Sequence, residues 1–242
     1  MAEWFESWFD SPYYSLLYAH RDAGEAEGFV RRMAEKLPPR AQVLDAPCGN
    51  GRHARALAKL GFFVTGFDLS PSLLAQAQAF ESPPVLKFFR RDLRVPFPER
   101  FDVVLNLFTG FGYLDDPADD KRVFANLVEG LRPGGIFILD FFNADRVRRN
   151  LVEKEIVFRR RVRFDVERQI VGDRVVKYIR VTDGDKVFNA EEKVRLYRPE
   201  DFRLMARELT MEYEWGDYNL TPFAADSPRY VLFARKSGKP GK

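Results

Sequence analysis

Val43-Leu44-Asp45-Ala46-Pro47-Cys48-Gly49-Asn50-Gly51-Arg52-His53 reads as a buried strand, a glycine turn and the first turn of a helix. Glycines at such a turn let backbone N–H groups approach a ligand closely. Farther on, Phe63-Val64-Thr65-Gly66-Phe67-Asp68 is a second apolar strand, and it ends on a carboxylate. Strand, glycine turn, helix, strand and acid, in that order, are the layout of a nucleoside-binding βαβ unit.

The same grammar extends outward from this stretch. Upstream, residues 1–20 are rich in aromatics (Trp4, Phe5, Trp8, Phe9, Tyr13, Tyr14, Tyr18), and Pro12 predicts two short segments rather than one helix. This segment is either a cap on the main sheet or a flap over a ligand. Residues 22–36 have a helical apolar period that stops at Pro38-Pro39. Downstream, Ser70-Pro71 fits an N-cap followed by proline at the first helical position. Val85–Phe89 and Phe101–Leu107 are the third and fourth strands, 118–131 is helical, and Arg132-Pro133-Gly134-Gly135 turns tightly into a fifth strand, Ile136–Phe141. Apolar strands alternating with helices imply an α/β fold with a parallel sheet covered on both faces.

After residue 145 the period changes to two. Phe158, Val162, Phe164, Val166 and Ile170 alternate with charged residues, which predicts a half-exposed strand carrying Arg159, Arg161 and Arg163 as one stripe. Val171-Gly172-Asp173-Arg174 and Asp183-Gly184-Asp185 read as hairpin turns. The expectation is a three-stranded antiparallel insertion over 150–197, then a helix from Pro199 and two closing strands near 210–218 and 229–235.

Two details bear on which nucleotide the glycine turn would take. Gly49-Asn50-Gly51-Arg52-His53-Ala54 fits a dinucleotide pattern, which keeps an NAD-dependent oxidoreductase as a rival. Yet Ala46-Pro47-Cys48 separates the strand end from Gly49, whereas a pyrophosphate needs its glycines directly on that end. Asp45 would also repel a pyrophosphate and suits a ligand with an ammonium group instead.

Asp-x-x-x-Gly-x-Gly, an acid ending the second strand, and Asp92-Leu93 after the third together resemble the class I S-adenosylmethionine-dependent methyltransferases. Tyr18-Ala19-His20-Arg21-Asp22, Gly51-Arg52-His53 and Phe108–Tyr113 look like a bacterial, small-molecule-type subfamily that includes sugar-amine N-methyltransferases. The resemblance covers residues 13–145 well and the closing strands by pattern only. It implies a doubly wound, mostly parallel, seven-stranded Rossmann-like sheet with an antiparallel β insertion after strand 5. The flap and first helix would span 1–38, the cofactor domain 39–149 and 198–236, and the insertion 150–197 would be a lid or dimer surface.

The resemblance also implies a cofactor, S-adenosylmethionine, and its contacts. Asp45, Ala46, Cys48, Gly49 and Gly51 would hold the methionine part. Asp68 would accept the ribose hydroxyls, with Leu69 on adenine. Asp92 would bond the adenine amino group, with Leu93 nearby. Asn106 and Leu107 would line the methionine side, and Tyr18 and Arg21 would close the pocket from the flap. The family often has a Glu- or Asp-Leu-Gly lead-in to the glycine turn, and here Pro47-Cys48 replaces it.

The chemistry needs no metal, and no catalytic residue is fixed. His20, as a general base, and Tyr113, as a substrate contact in a glycine-rich loop, are the candidates. Cys48 reads as a small packed residue rather than a nucleophile, and His53 as structural. The first reading is methyl transfer to nitrogen or oxygen of a small-molecule acceptor. An RNA methyltransferase using the arginine stripe is the alternative, although no aromatic residue shares that stripe for base stacking. Composition adds exclusions. One cysteine allows no internal disulfide and no Cys-rich metal site, and no run of 18 apolar residues suits a membrane span. A net charge of +3 is no argument for nucleic acid. The acidic, aromatic N-terminus does not suit a signal peptide, so a cytoplasmic protein is expected, with dimerisation through the insertion open.

Overall fold

The computed structural model describes residues 3–19, 23–80 and 84–238. Its centre is a seven-stranded sheet built from β1 (Gln42–Asp45), β2 (Phe63–Asp68), β3 (Leu86–Arg90), β4 (Phe101–Asn106), β5 (Leu131–Phe142), β10 (Leu209–Trp215) and β11 (Arg229–Lys236). The strand order is β10-β11-β5-β4-β1-β2-β3. β1 to β5 run parallel, β11 enters antiparallel beside β5, and β10 closes the edge antiparallel to β11. The order reverses at β1, between β2 and β4, and that switch point is where open α/β sheets bind ligands.

The parallel strands are apolar on both faces because both are covered. Val43, Val103, Leu105 and Ile138 pack on the side of α3 (Ala23–Ala34), α4 (Arg52–Lys59) and α5 (Pro71–Gln78). Leu44, Val104, Phe137 and Leu139 pack on the other, with Phe124 of α6 (Pro117–Glu129) and Phe202 of α8 (Pro199–Met205). Ser70 caps α5 by accepting from the Leu73 N–H at 3.1 Å, with Pro71 behind it. The expected turn at Arg132–Gly135 lies inside β5: Leu131 pairs with Phe101, the register slips, and Ile136 pairs with Val103.

The N-terminal segment forms two short helices, α1 (Trp4–Phe9) and α2 (Pro12–Leu17), separated at Pro12 as its φ restriction requires. A further short helix, α7 (Ala144–Arg149), follows β5 with Asn143 as its side-chain cap; no periodic pattern foreshadows it.

The insertion departs from expectation in strand number. It is a four-stranded antiparallel sheet: β6 (Lys154–Arg159), β7 (Val162–Val171), β8 (Arg174–Asp183) and β9 (Lys186–Arg195). A two-residue turn at Arg160-Arg161, with Arg160 at φ 54°, divides the stretch read as one strand. Such a turn pairs Arg159 with Val162 and so puts them on one face. Phe158 therefore shares the outer face with Arg163, and it is 62% exposed. The stripe of Arg159, Arg161 and Arg163 does not exist: Arg159 faces opposite Arg163, and Arg161 lies in the turn. Arg163 is engaged by Asp165 on its own strand, at 2.6 Å.

The inner face of this sheet meets the flap. Trp8, Leu17, Phe164, Ile179 and Val181 form a third buried cluster between α1, α2 and the insertion. The flap helices are thus held by the insertion as well as by the main sheet.

Candidate functional site

β1 ends on Asp45, and the chain turns through Ala46–Gly51 into α4. Gly49 and Gly51 adopt φ of +53° and +75°. At Gly51 a Cβ would lie 2.6 Å from the Phe88 ring, so both conformation and space demand glycine there. The turn is tied to the neighbouring strand: Cys48 N–H donates to the Phe67 carbonyl at 2.8 Å, and Gly49 N–H donates to Asp68 Oδ2 at 2.7 Å. Asp68 Oδ1 accepts from Ser70 N–H at 2.9 Å. Burial pushes the Asp68 carboxyl above its ordinary range, and the Ser70 and Gly49 N–H groups hold part of that back.

Asp45 lies under the turn, fully buried, and neither carboxylate oxygen has a hydrogen-bond partner. Burial and the nearby Asp68 push its pKa up to about 7; Arg52 opposes this, and the Ala54 N–H helps only weakly, falling short of a hydrogen bond. Asn106, at the end of β4, donates to the carbonyls of Ala46 and Gly110 and leaves its own Oδ1 without a partner. His53 is buried and held neutral, its pKa pulled down to about 3 by burial and by Arg52. Burial and then Asp45 and Asp68 push the Cys48 thiol well up, which makes it a poor nucleophile.

Above the turn lies a cavity of about 460 Å³ at the carboxyl edge of the sheet. Of the residues singled out in the sequence, Tyr18, Cys48, Gly49, Asp68, Leu69 and Asp92 line it, as do Leu93, Leu107 and Tyr113. Asp45, Ala46, Gly51 and Asn106 do not reach its wall; they sit behind it as support. His20 and Arg21 lie outside the described residues. Asp92 closes an Asx turn onto Arg94 N–H at 2.9 Å, and the Arg94 guanidinium grips its carboxylate at 2.6 Å while also reaching Glu3 at 3.1 Å. Burial alone would raise the Asp92 pKa, but Arg94 outweighs it and the carboxyl is held below its usual range.

A second cavity, of about 430 Å³, adjoins the first beneath the insertion. Tyr14, Tyr18, Phe108 and Tyr113 line both, so the wall between them is aromatic. Tyr113 donates its hydroxyl to the Thr109 carbonyl. Burial and neighbouring acids and phenols push its pKa well up, so it stands there as a neutral phenol. Phe108 and Thr109 are both in the left-handed region, with φ of 63° and 61°. Their N–H groups donate to the Asp140 carboxylate at 2.8 Å and the Asp140 carbonyl at 2.9 Å.

Sequence reading missed the polar group on this second wall. Lys177 of β8 and Glu192 of β9 are directly paired across the strands, and Lys177 Nζ donates to Glu192 Oε2 at 2.6 Å. From the flap, Trp8 Nε1 donates to Glu192 Oε1 at 2.7 Å, and the Tyr18 hydroxyl donates to the same oxygen at 2.6 Å; Lys177 also donates to the Tyr18 hydroxyl. Burial would raise the Glu192 pKa, but Lys177, Tyr18 and Trp8 outweigh it and keep the group ionised. Among the described residues no cluster of His, Cys, Asp and Glu could hold a metal.

Residues 43–135 match the model of the methyltransferase domain family. That segment, which holds the glycine turn, Asp68 and Asp92, is thus similar to a methyltransferase domain. Around that domain, the fold is shared with a methyltransferase structure from Clostridium acetobutylicum ATCC 824, at a TM-score of 0.78 and 22% identity, covering 93% of this chain and 96% of that one. The 2-methyl-6-phytyl-1,4-hydroquinone methyltransferase of Synechocystis sp. (strain ATCC 27184 / PCC 6803 / Kazusa) is 38% identical over 125 residues, 48% of this chain and 38% of the relative. The dTDP-3-amino-3,4,6-trideoxy-alpha-D-glucopyranose N,N-dimethyltransferase of Streptomyces venezuelae is 27% identical over 131 residues, 52% and 54% of the two chains. The chain spans about half the length, or less, of these two relatives. No helix among the described residues is long and apolar enough to cross a membrane.

Proposed function

We propose that this protein transfers a methyl group from S-adenosylmethionine to a nitrogen or oxygen of a small-molecule acceptor. The observation that carries this reading is the pair of adjoining chambers at the carboxyl edge of the sheet, one floored by the glycine turn and Asp68, the other roofed by the insertion.

The residues of the first chamber fit the cofactor. Behind the wall, beneath the turn, the orphaned Asp45 carboxyl favours a cationic ammonium in the chamber through its field rather than by contact, and that cation would in turn favour its ionised form. Gly49 and Gly51 keep the turn free of side chains. Asp68 uses one bond per oxygen on backbone N–H groups, which leaves lone pairs for a ribose diol. Asp92 is an ionised acceptor suited to an adenine amino group. Once bound, the cofactor supplies an activated methyl on a sulfonium. The chain's own residues then exclude water and align an acceptor across the aromatic wall. The insertion acts as the lid that shapes the acceptor chamber, and its exposed outer face, with Ile156 and Phe158, is where a homodimer would form.

The test is direct. Calorimetry should show binding of S-adenosylhomocysteine but not NAD. Methyl-labelled cofactor incubated with a cell extract should then label a low-molecular-weight species. NAD binding without S-adenosylhomocysteine binding would overturn the reading.

A further inference from the structure

The second chamber is charged, yet every charge in it, among the described residues, is answered. Lys177 is paired with Glu192 at 2.6 Å, Arg168 with Glu155 at 2.6 Å, and Arg229 with Asp140 at 2.8 Å. These are the charged side chains that line this chamber, together with Asp140 behind it. The rest of the wall is mainly aromatic and aliphatic, with Trp4, Phe108, Phe142, Leu151 and Val175 among it. A charged ligand entering such a space loses part of its hydration and finds no unpaired counter-ion among the described residues, whereas an uncharged ring gains aromatic contact at no such cost.

A polar group on this wall joins the Lys177–Glu192 pair to the Tyr18 hydroxyl. It offers a donor, an acceptor and a group that is both. Trp8 and Tyr18 fix the carboxylate from the flap, so it is aimed before any ligand arrives. A hydroxyl or an uncharged amine can exchange into this set while the chamber remains neutral.

We infer that the second chamber takes an uncharged, ring-bearing acceptor whose hydroxyl or amine is oriented by Glu192, Lys177 and Tyr18. This rests on the methyl-transfer reading above. It also separates this chain from the nucleotide-linked sugar named for the Streptomyces venezuelae relative, which brings phosphate charge that the described residues of this chamber do not answer.

The experiment uses a matched series on one phenol ring: 4-hydroxyphenethyl alcohol (neutral), 4-hydroxyphenylacetate (anionic) and 4-hydroxyphenethylamine (cationic). Each is titrated by calorimetry into the full-length protein saturated with S-adenosylhomocysteine. The neutral member should bind at least about tenfold more tightly than either charged one. Two variants add a charge test that misfolding cannot imitate. Glu192→Gln leaves Lys177 without its counter-ion, so preference should swing to the anionic probe. Lys177→Met leaves Glu192 alone, so preference should swing to the cationic one. Equal or tighter binding of a charged probe by the wild-type protein, binding of none of the three, or variants that keep the wild-type order would each overturn the inference. Failure of S-adenosylhomocysteine itself to bind would instead remove the methyl-transfer reading on which it rests.

Discussion

The Asp68 carboxylate receives the Gly49 N–H at 2.7 Å, so the acid ending β2 holds the glycine turn that leaves β1. Asp68 thereby shapes the floor of the first chamber with one backbone N–H on each oxygen. Replacing Asp68 with alanine should weaken S-adenosylhomocysteine binding about tenfold to a hundredfold, the worth of one or two hydrogen bonds to a charged group. Calorimetry reads this directly, and unchanged affinity would remove Asp68 from the site.

The two glycines of the turn should respond differently to alanine. At Gly49 a Cβ would have nothing within 4 Å, so Gly49→Ala meets only the left-handed backbone cost, about 1 kcal/mol. At Gly51 the added methyl meets the Phe88 ring at 2.6 Å as well, and Gly51→Ala should cost a further ~1–3 kcal/mol. Urea denaturation of both variants checks the order; a Gly49→Ala variant as unstable as Gly51→Ala would contradict it.

Asp45 and His53 pull the pH dependence of stability in opposite directions. The folded pKa of Asp45 is raised to about 7 from 3.8, so its contribution is fully present below the lower value and is lost as pH rises through the upper one. His53 is held at about 3 against 6.5, so its contribution is present above 6.5 and is lost as pH falls towards 3. Between these limits the two slopes offset. Asp45→Asn should leave the histidine slope alone: the variant loses stability on acidification below about pH 6.5 more steeply than the wild type, and is the more stable protein at about pH 8. Denaturant titrations across that range decide it. In the same variant, the rise of S-adenosylhomocysteine affinity through about pH 7 should flatten, because no buried carboxylate is left whose field attracts the ammonium.

Asp140 and Arg229 form a buried ion pair that also fixes the loop after β4. Asp140 is 1% exposed and receives Arg229 Nε, the Phe108 N–H and the Tyr218 hydroxyl. Arg229→Met should cost about 3–5 kcal/mol, because it strands a buried carboxylate, and Asp140→Asn with Arg229→Met together should cost less than the sum of the two singles. Additive losses in urea denaturation would show that the two residues do not act as a pair.

The first half of the site was legible because it is local. Asp45, Gly49, Gly51 and Asp68 sit at the ends of short apolar runs, and strand ends on a parallel sheet share one edge. The insertion was harder for a physical reason. A two-residue turn leaves alternation intact in the sequence while exchanging the faces, so Phe158 and Val162 look alike and point opposite ways. Lys177 and Glu192 were hidden because Glu191-Glu192-Lys193 reads as a solvated strand face. The signal was present in the turn at Gly184-Asp185: counting outward from the pair Asp183 and Lys186 brings Lys177 opposite Glu192. What no local pattern announces is that the flap lies over them.

The bonds from Trp8 and Tyr18 to Glu192 join the beginning of the chain to a strand formed late in it. Loop-closure entropy makes such distant contacts slow to form. The floor of the first chamber comes from neighbouring segments, β1 to β2, whereas the wall of the second is complete only where β9 meets the N-terminal helices. The second chamber thus depends on contacts that span most of the chain.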